Sequence, residues 1–228
     1  MISLSQKVCP SLVDWNLVDT VLLDMDGTLL DLKFDNDFWL QRVPEAYALK
    51  QDISVDAARE ALYPRLRALK GTLDWYCIEF WSDELGLDIA AMKRRYRSDI
   101  SLRDGAVGFL SAVQGSGRPQ YLVTNAHGVT VDIKMAETGI AHFFTELITS
   151  HRFNAPKEQP EFWERLVSHT GLNLGRCLFI DDTAAVLESA RACGVGQVIG
   201  VTKPDSSRPI NFYQEFTALE SYEAIMPS

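Results

Sequence analysis

Cysteine is scarce in this chain, and what there is lies scattered. Cys9, Cys77, Cys177 and Cys193 form no CxxC pair and no metal-finger spacing. The expectation is reduced thiols in a reducing compartment, and Cys177 opens an apolar run where a thiol behaves as a small hydrophobe. Long apolar runs are missing as well. None approaches the ~20 residues of a membrane span, and residues 1–19, with Cys9, Pro10, Asp14 and Asp19, hold no stretch suited to a signal peptide. A cytoplasmic protein without a membrane partner is therefore expected. Basic charge is also short, with 22 Lys and Arg against 31 Asp and Glu, for a net charge of −9 and a pI near 4.9. A nucleic-acid surface needs a basic stripe. The densest basic stretch here, Lys93-Arg94-Arg95-Tyr96-Arg97, reads as a solvated helix face. Internal repeats and low-complexity segments are absent.

What is present is ordinary globular composition, 46% hydrophobic and 23% charged over 228 residues. That length suffices for one full core plus an insertion. Three apolar strand-like runs each end on polar residues suited to phosphoryl chemistry. Val21-Leu22-Leu23 enters Asp24-Met25-Asp26-Gly27-Thr28, Tyr121-Leu122-Val123 precedes Thr124-Asn125, and Cys177-Leu178-Phe179-Ile180 precedes Asp181-Asp182. Lys157 sits in a Pro-flanked loop between the second and third. In an open parallel α/β sheet, ligands bind outside the carboxyl ends of the strands, so these residues are expected in one crevice.

Between residues ~32 and 100 the strand/helix alternation stops. Asp35-Asn36-Asp37 offers N-caps for a helix carrying Phe38, Trp39, Val43 and Tyr47. Ser54 caps a second that Gly71 closes, Asp74 opens a third that Gly86 closes, and Asp88 opens a fourth. Apolar spacing of three and four predicts an inserted helical bundle. From Asp104 the alternation resumes: a helix through Val113, a strand 120–124, a helix 130–138, a strand 147–149 and a helix 161–169. A strand 177–181, a helix 183–192 and a strand 197–201 follow, then a loop and a short closing helix near Leu219–Met226. The strand runs lack apolar/polar alternation, as in parallel strands buried on both faces. The predicted fold is α/β, a Rossmann-like parallel sheet formed by 1–31 and 101–228, with an all-helical insertion at 32–100.

Each motif also has a structural explanation. A D-x-D-G-T string occurs as a strand followed by an Asp-Gly turn, with Thr28 as a local cap. Asp182 serves as N-cap of the next helix, which leaves Asp181 unexplained. Two adjacent acids after four apolar residues call for a compensating cation, and hard oxygen ligands suit Mg²⁺. Thr124 and Asn125 also suit donation to phosphate oxygens. Lys157 alone reads as a surface lysine; four carboxylates beside a phosphate dianion require a fixed positive charge. His127 reads first as a surface imidazole, with contact to ligand as the other reading.

In this combination the motifs resemble those of the haloacid dehalogenase-like hydrolase superfamily: Asp24-Met25-Asp26-Gly27-Thr28, Thr124, Lys157 and Asp181-Asp182, in that order. The insertion after the first motif resembles the superfamily's helical C1 cap. Further stretches resemble the purine-preferring GMP/IMP 5′-nucleotidases of enteric bacteria, among them Leu73-x-Trp75-Tyr76-Cys77, Thr124-Asn125-Ala126-His127 and Gly200-Val201-Thr202-x-Pro204-Asp205-Ser206.

The resemblance implies that the first strand lies centrally, between those ending at Thr124 and Asp181. It also implies a phosphomonoesterase in which Asp24 is the nucleophile and Asp26 the general acid/base. Thr124, Asn125 and Lys157 would hold phosphate. Mg²⁺ would be bound by Asp24, the Asp26 carbonyl and Asp182, with Asp181 through water or at a remove. The partner expected is a small phosphate ester, a nucleotide. Trp75 and Tyr76 are the first candidates for base contact among the insertion's aromatics, with Phe38, Trp39, Phe80 and Trp81 expected mainly as its core, and His127 a further candidate. A phosphatase for another small phosphomonoester, a phosphomutase and a non-catalytic module are the rival readings. The sequence leaves monomer or homodimer open.

Overall fold

The computed structural model describes residues 12–227; the expectations for residues 1–11, Cys9 among them, lie outside the described residues. Six strands form one parallel sheet in the order β3-β2-β1-β4-β5-β6. They are β1 (Thr20–Leu23), β2 (Gln120–Thr124), β3 (Glu146–Thr149), β4 (Cys177–Asp181), β5 (Gln197–Val201) and β6 (Thr217–Leu219). β1 is central, pairing Leu22 with Tyr121 of β2 and with Phe179 of β4. The continuous apolar runs are explained by two separate cores. Val21, Leu23, Leu122, Leu178 and Ile180 enter one, while Leu22, Val123, Cys177 and Phe179 enter the other. Period-two geometry thus sends alternate side chains to opposite buried faces.

Between β1 and the rest of the sheet, helices α1 (Lys33–Asp37), α2 (Val43–Gln51), α3 (Val55–Leu69), α4 (Leu73–Tyr76), α5 (Ile78–Leu85) and α6 (Ile89–Arg95) build a third core. It centres on Phe38, Leu62, Trp81, Leu85 and Ile89. Ser54 caps α3 and Asp88 caps α6 through their side chains, and Gly86 ends α5 in the left-handed conformation. The sheet's flanking helices are α7 (Ala106–Gly115), α8 (Gly128–Thr138), the short α9 (Ser150–Phe153), α10 (Pro160–Thr170) and α11 (Ala184–Ala192). No helix among the described residues is long and apolar enough to cross a membrane.

Several local expectations are corrected. Residues 35–37 do not cap a helix; they lie inside α1, and it is the Asp31 side chain that accepts the Lys33 N–H at 2.9 Å. Thr72, not Asp74, caps α4, and Cys77 then caps α5. The short closing helix expected near Leu219–Met226 is a single three-ten turn at Tyr222–Ile225, and the loop expected before it contains β6, which pairs with β5. Leu219, Tyr222 and Ile225 are buried in the first core. Thr28 is not a cap: its hydroxyl is buried without a partner, while its carbonyl accepts from Tyr222 Oη at 2.8 Å and Arg103 at 3.1 Å.

Candidate active site

Asp24 leaves the end of β1 with its N–H donating to the Ile180 carbonyl of β4, 3.0 Å away. The chain then folds back on itself, Gly27 N–H donating to the Leu30 carbonyl at 2.8 Å. Gly27 has φ +81°, and a Cβ there would lie 2.7 Å from Asp182 Cγ and Oδ2. Only glycine accepts that conformation and that closeness. Absence of a side chain is what lets the first and last motifs touch.

Lys157 is 2% exposed. Its Nζ donates to Asp24 Oδ1, to Asp181 Oδ2 at 2.7 Å and to the Val123 carbonyl at 3.1 Å. A buried ammonium with three acceptors is fully satisfied. Burial works to lower its pKa, but Asp181 and Asp24 outweigh that and hold it well above the ordinary lysine value. Asp181 also takes the Thr183 N–H on Oδ1 at 2.7 Å. The acid accepting at the start of α11 is therefore Asp181, the reverse of the structural expectation for Asp182. Asp182 accepts only from the Thr183 hydroxyl at 3.2 Å through its carboxylate, and its carbonyl accepts from Tyr213 Oη at 2.6 Å. Burial first, then the neighbouring Asp181, pushes the Asp182 carboxyl up to about 7. Burial likewise raises Asp24 well above the usual carboxylate range despite Lys157.

Asp26 points into a different environment. Lys134 of α8 donates to it at 2.6 Å and also to Asp35 of α1, and Asp35 in turn accepts from Lys93 of α6 at 2.9 Å. Lys134 and Lys93 are 1% and 3% exposed, so both charges are held by partners rather than by water. Lys93 therefore does not belong to a solvated face, although Arg94, Arg95 and Arg97 beside it are exposed. Burial raises the Asp26 pKa against the pull of Lys134. At Asp35 burial acts the same way, but Lys134 and Lys93 together win and hold it far below the usual range. Two carboxyls sharing one lysine are thus driven apart in proton affinity. Apart from Asp26, the members of this alternating chain were not readable as a site, because they are single charges far apart in sequence.

Thr124 ends β2 with its hydroxyl oxygen accepting the Ala126 N–H at 3.0 Å, which leaves its own proton to donate. Asn125 is occupied by protein. Its Oδ1 takes the Lys157 N–H at 2.9 Å and its Nδ2 donates to Glu158 at 2.9 Å. Tyr76 of α4 donates to the other Glu158 oxygen at 3.0 Å, so Glu158 ties the helical stretch to the sheet. Glu158 was missed by sequence reasoning; its place next to Lys157 was the available signal.

These residues surround a cavity of about 970 Å³, at the upper end of the size of small-molecule sites. The sheet side contributes Asp24, Asp26, Thr124, Asn125, Lys157, Asp181 and Asp182. The helical side contributes Trp39, Tyr63, Trp75 and Tyr76, with the exposed Arg67 and Lys70. Phe38 and Trp81 are buried in the helical core. His127 does not line this cavity. Its Nδ1 accepts from Val129 N–H at the start of α8, and its Nε2 is 3.0 Å from Glu79.

The Asp24, Asp181 and Asp182 carboxylates oppose a single lysine charge at their centre, and every free donor they offer is oxygen. That set fits a hard divalent cation of the Mg²⁺ type. The same cluster, with a strand-end carboxylate, a second acid two residues on and a buried lysine, can support displacement at phosphorus.

Comparison with known proteins is consistent with this geometry. A family model for haloacid dehalogenase-like hydrolases matches residues 18–194. The chain is 41% identical over 216 residues to the GMP/IMP nucleotidase YrfG of Escherichia coli (strain K12), covering 95% of this chain and 97% of that protein. Among solved structures, a HAD phosphatase from Thermococcus onnurineus superposes with a TM-score of 0.75 at 21% identity, covering 90% of this chain and 95% of the other. The HAD-hydrolase YfnB of Bacillus subtilis, described as bound to magnesium, superposes with a TM-score of 0.62 at 20% identity, covering 90% and 96%.

Proposed function

Since the chain belongs to the haloacid dehalogenase-like hydrolases, we propose that it hydrolyses purine nucleoside 5′-monophosphates, GMP and IMP, to nucleoside and phosphate. The observation that carries the chemistry is the separation of the two aspartates into unlike environments. Asp24 lies against Lys157 in the crevice at the strand ends, whereas Asp26 shares Lys134 with Asp35. Asp24 is the nucleophile that takes the phosphoryl group as an aspartyl-phosphate. Asp26, with its raised pKa, gives a proton to the departing 5′-oxygen and later receives one from the attacking water. Lys157, exchanging its Asp24 contact for a phosphate oxygen, and the Thr124 hydroxyl hold the equatorial oxygens as charge redistributes.

Mg²⁺ would be held by Asp24, the Asp26 carbonyl and Asp182, whose carboxylate has the fewest protein partners of the acid pair. Bound there, it neutralises the charge between an anionic nucleophile and an anionic phosphate. Asp181, with both oxygens engaged by Lys157 and Thr183, acts by fixing that lysine. Residues 32–100 form the lid and 1–31 with 101–228 the catalytic core, so that substrate choice falls to the lid's aromatics.

Purine preference is supported by the 41% identity to a protein named for GMP and IMP, and by four aromatic rings on the cavity wall. Stacking of a base on an aromatic ring contributes ~1–3 kcal/mol. Phosphate release from GMP, IMP, AMP, hexose phosphates and p-nitrophenyl phosphate, measured with Mg²⁺, tests the reading. GMP and IMP should show the highest kcat/KM. Preference for a hexose phosphate would reject the nucleotide assignment and leave the phosphatase.

A further inference from the structure

At the seam between the helical stretch and the sheet, outside the cavity, three side chains of different chemistry converge. Cys77 Sγ, one carboxylate oxygen of Glu79 and one ring nitrogen of His127 all lie within 4.8 Å of one another. Two of the three edges are shorter: Cys77 Sγ to Glu79 Oε2 is 3.6 Å, and His127 Nε2 to Glu79 Oε2 is 3.0 Å. Ligands at about 2.0–2.3 Å from a tetrahedral cation sit roughly 3.3–3.8 Å apart. The third edge needs only a small side-chain adjustment. Behind His127, the His151 ring packs edge-on with centroids 4.8 Å apart. Both its nitrogens are shut off from solvent and make no hydrogen bond of normal geometry.

We propose that Cys77, Glu79 and His127 form a binding site for a borderline-soft divalent cation of the Zn²⁺ class, which clamps the helical stretch to the sheet. Thiolate and imidazole disfavour Mg²⁺ and suit zinc, and three protein ligands leave one position for water. Binding takes the thiol proton to solvent and moves the His127 ring proton from Nε2 to Nδ1. That shift forfeits the Val129 contact, which at 3.4 Å is long. Cys77 and Glu79 open α5, and His127 precedes α8. The preceding residues Tyr76 and Ala126 line the cavity, so an ion here ties both walls together at their edge. It would lower turnover by holding product in. This inhibitory consequence rests on the phosphatase reading, whereas the binding site does not.

The test uses the full chain saturated with Mg²⁺ and titrated with Co²⁺ as a spectroscopic probe. One equivalent should produce a thiolate-to-cobalt charge-transfer band that Zn²⁺ displaces. Cys77→Ser should remove the band, and His127→Gln should weaken Co²⁺ binding by at least about tenfold, the loss typical of a disturbed metal shell. Serine remains a good N-cap for α5, and an unchanged melting temperature checks that the fold persists. No band in the parent protein, or the same band in Cys77→Ser, overturns the site. In the second arm, Zn²⁺ in excess Mg²⁺ should slow phosphate release from p-nitrophenyl phosphate, and Cys77→Ser should abolish that inhibition while keeping zinc-free activity. Inhibition that survives in Cys77→Ser places the zinc among the catalytic carboxylates and overturns the clamp. Absence of phosphatase activity altogether overturns the proposed function and leaves the spectroscopic result standing.

Discussion

Replacing Gly27 by alanine tests the contact that joins the first motif to the last. A left-handed backbone at a non-glycine residue costs about 1–2 kcal/mol. The added Cβ would also stand 2.7 Å from Asp182 and 2.9 Å from Pro204 Cβ, and overpacking of this kind costs about 1–3 kcal/mol. Together these predict about 2–5 kcal/mol of destabilisation, or roughly 4–20 °C in melting temperature for a chain of this size. If Asp182 moves to relieve the contact, part of that loss appears instead as a higher Mg²⁺ half-saturation for phosphate release. Gly128→Ala is the control, since nothing lies within 4 Å of a Cβ at the first residue of α8. It should be neutral or stabilising by up to about 1 kcal/mol. Thermal melts and Mg²⁺ titrations on both variants decide the matter. A Gly27→Ala protein with parental melting temperature and parental Mg²⁺ response would refute the argument.

Asp24→Asn should cut turnover at least about a thousandfold without lowering the melting temperature, because it removes the nucleophile and a strongly desolvated charge together; near-parental turnover rejects the role. Lys134→Met should cost about 3–5 kcal/mol, since Asp26 and Asp35 would lose the cation they share; a thermal melt shifted by less than a degree or two counts against that pairing. In EDTA, stability should fall as pH rises from about 4 towards 7. Asp24, Asp26 and Asp182 all hold protons above their unfolded values near 3.8, with Asp182 at about 7, so the folded state binds more protons in that window. Mg²⁺ should therefore raise the melting temperature more at pH 8 than at pH 5, and an equal rise at both contradicts the carboxylate cluster. Trp75→Ala should raise KM for GMP by about 5- to 160-fold, the equivalent of 1–3 kcal/mol of stacking, and spare p-nitrophenyl phosphate; parallel losses on both substrates make Trp75 structural.

Sequence reading found the residues whose position is set by a strand end. Asp24, Thr124 and Asp181 each follow an unbroken apolar run, and a parallel sheet brings such ends together whatever lies between them. It could not find partners fixed only by packing. Lys134 sits among Val131, Ile133 and Met135 in α8, where an isolated charge among buried neighbours was the available sign. Lys93 was hidden by the exposed arginines that follow it, because charge density along the chain says nothing about which face turns inward. β6 was read as loop for a related reason. Three residues at a sheet edge take their conformation from β5, and so short a run shows no strand period of its own. Tyr213 was equally unreadable: its hydroxyl reaches the Asp182 and Val201 carbonyls only because Gly200 leaves room for the ring.

The buried chain Asp26–Lys134–Asp35–Lys93 divides at the seam in a particular way. Asp26 and Lys134 belong to the sheet side, Asp35 and Lys93 to the helical side. Each side therefore keeps one anion and one cation, already within contact of each other. Within this chain of four, separating the two parts breaks only the Lys134–Asp35 link and leaves two self-compensated pairs, neither with a net charge to rehydrate. Opening and reclosing such a joint exchanges dipoles rather than monopoles, whose interaction falls off steeply with distance. The contribution of these four residues to that equilibrium should be nearly blind to ionic strength, although every one of them is charged.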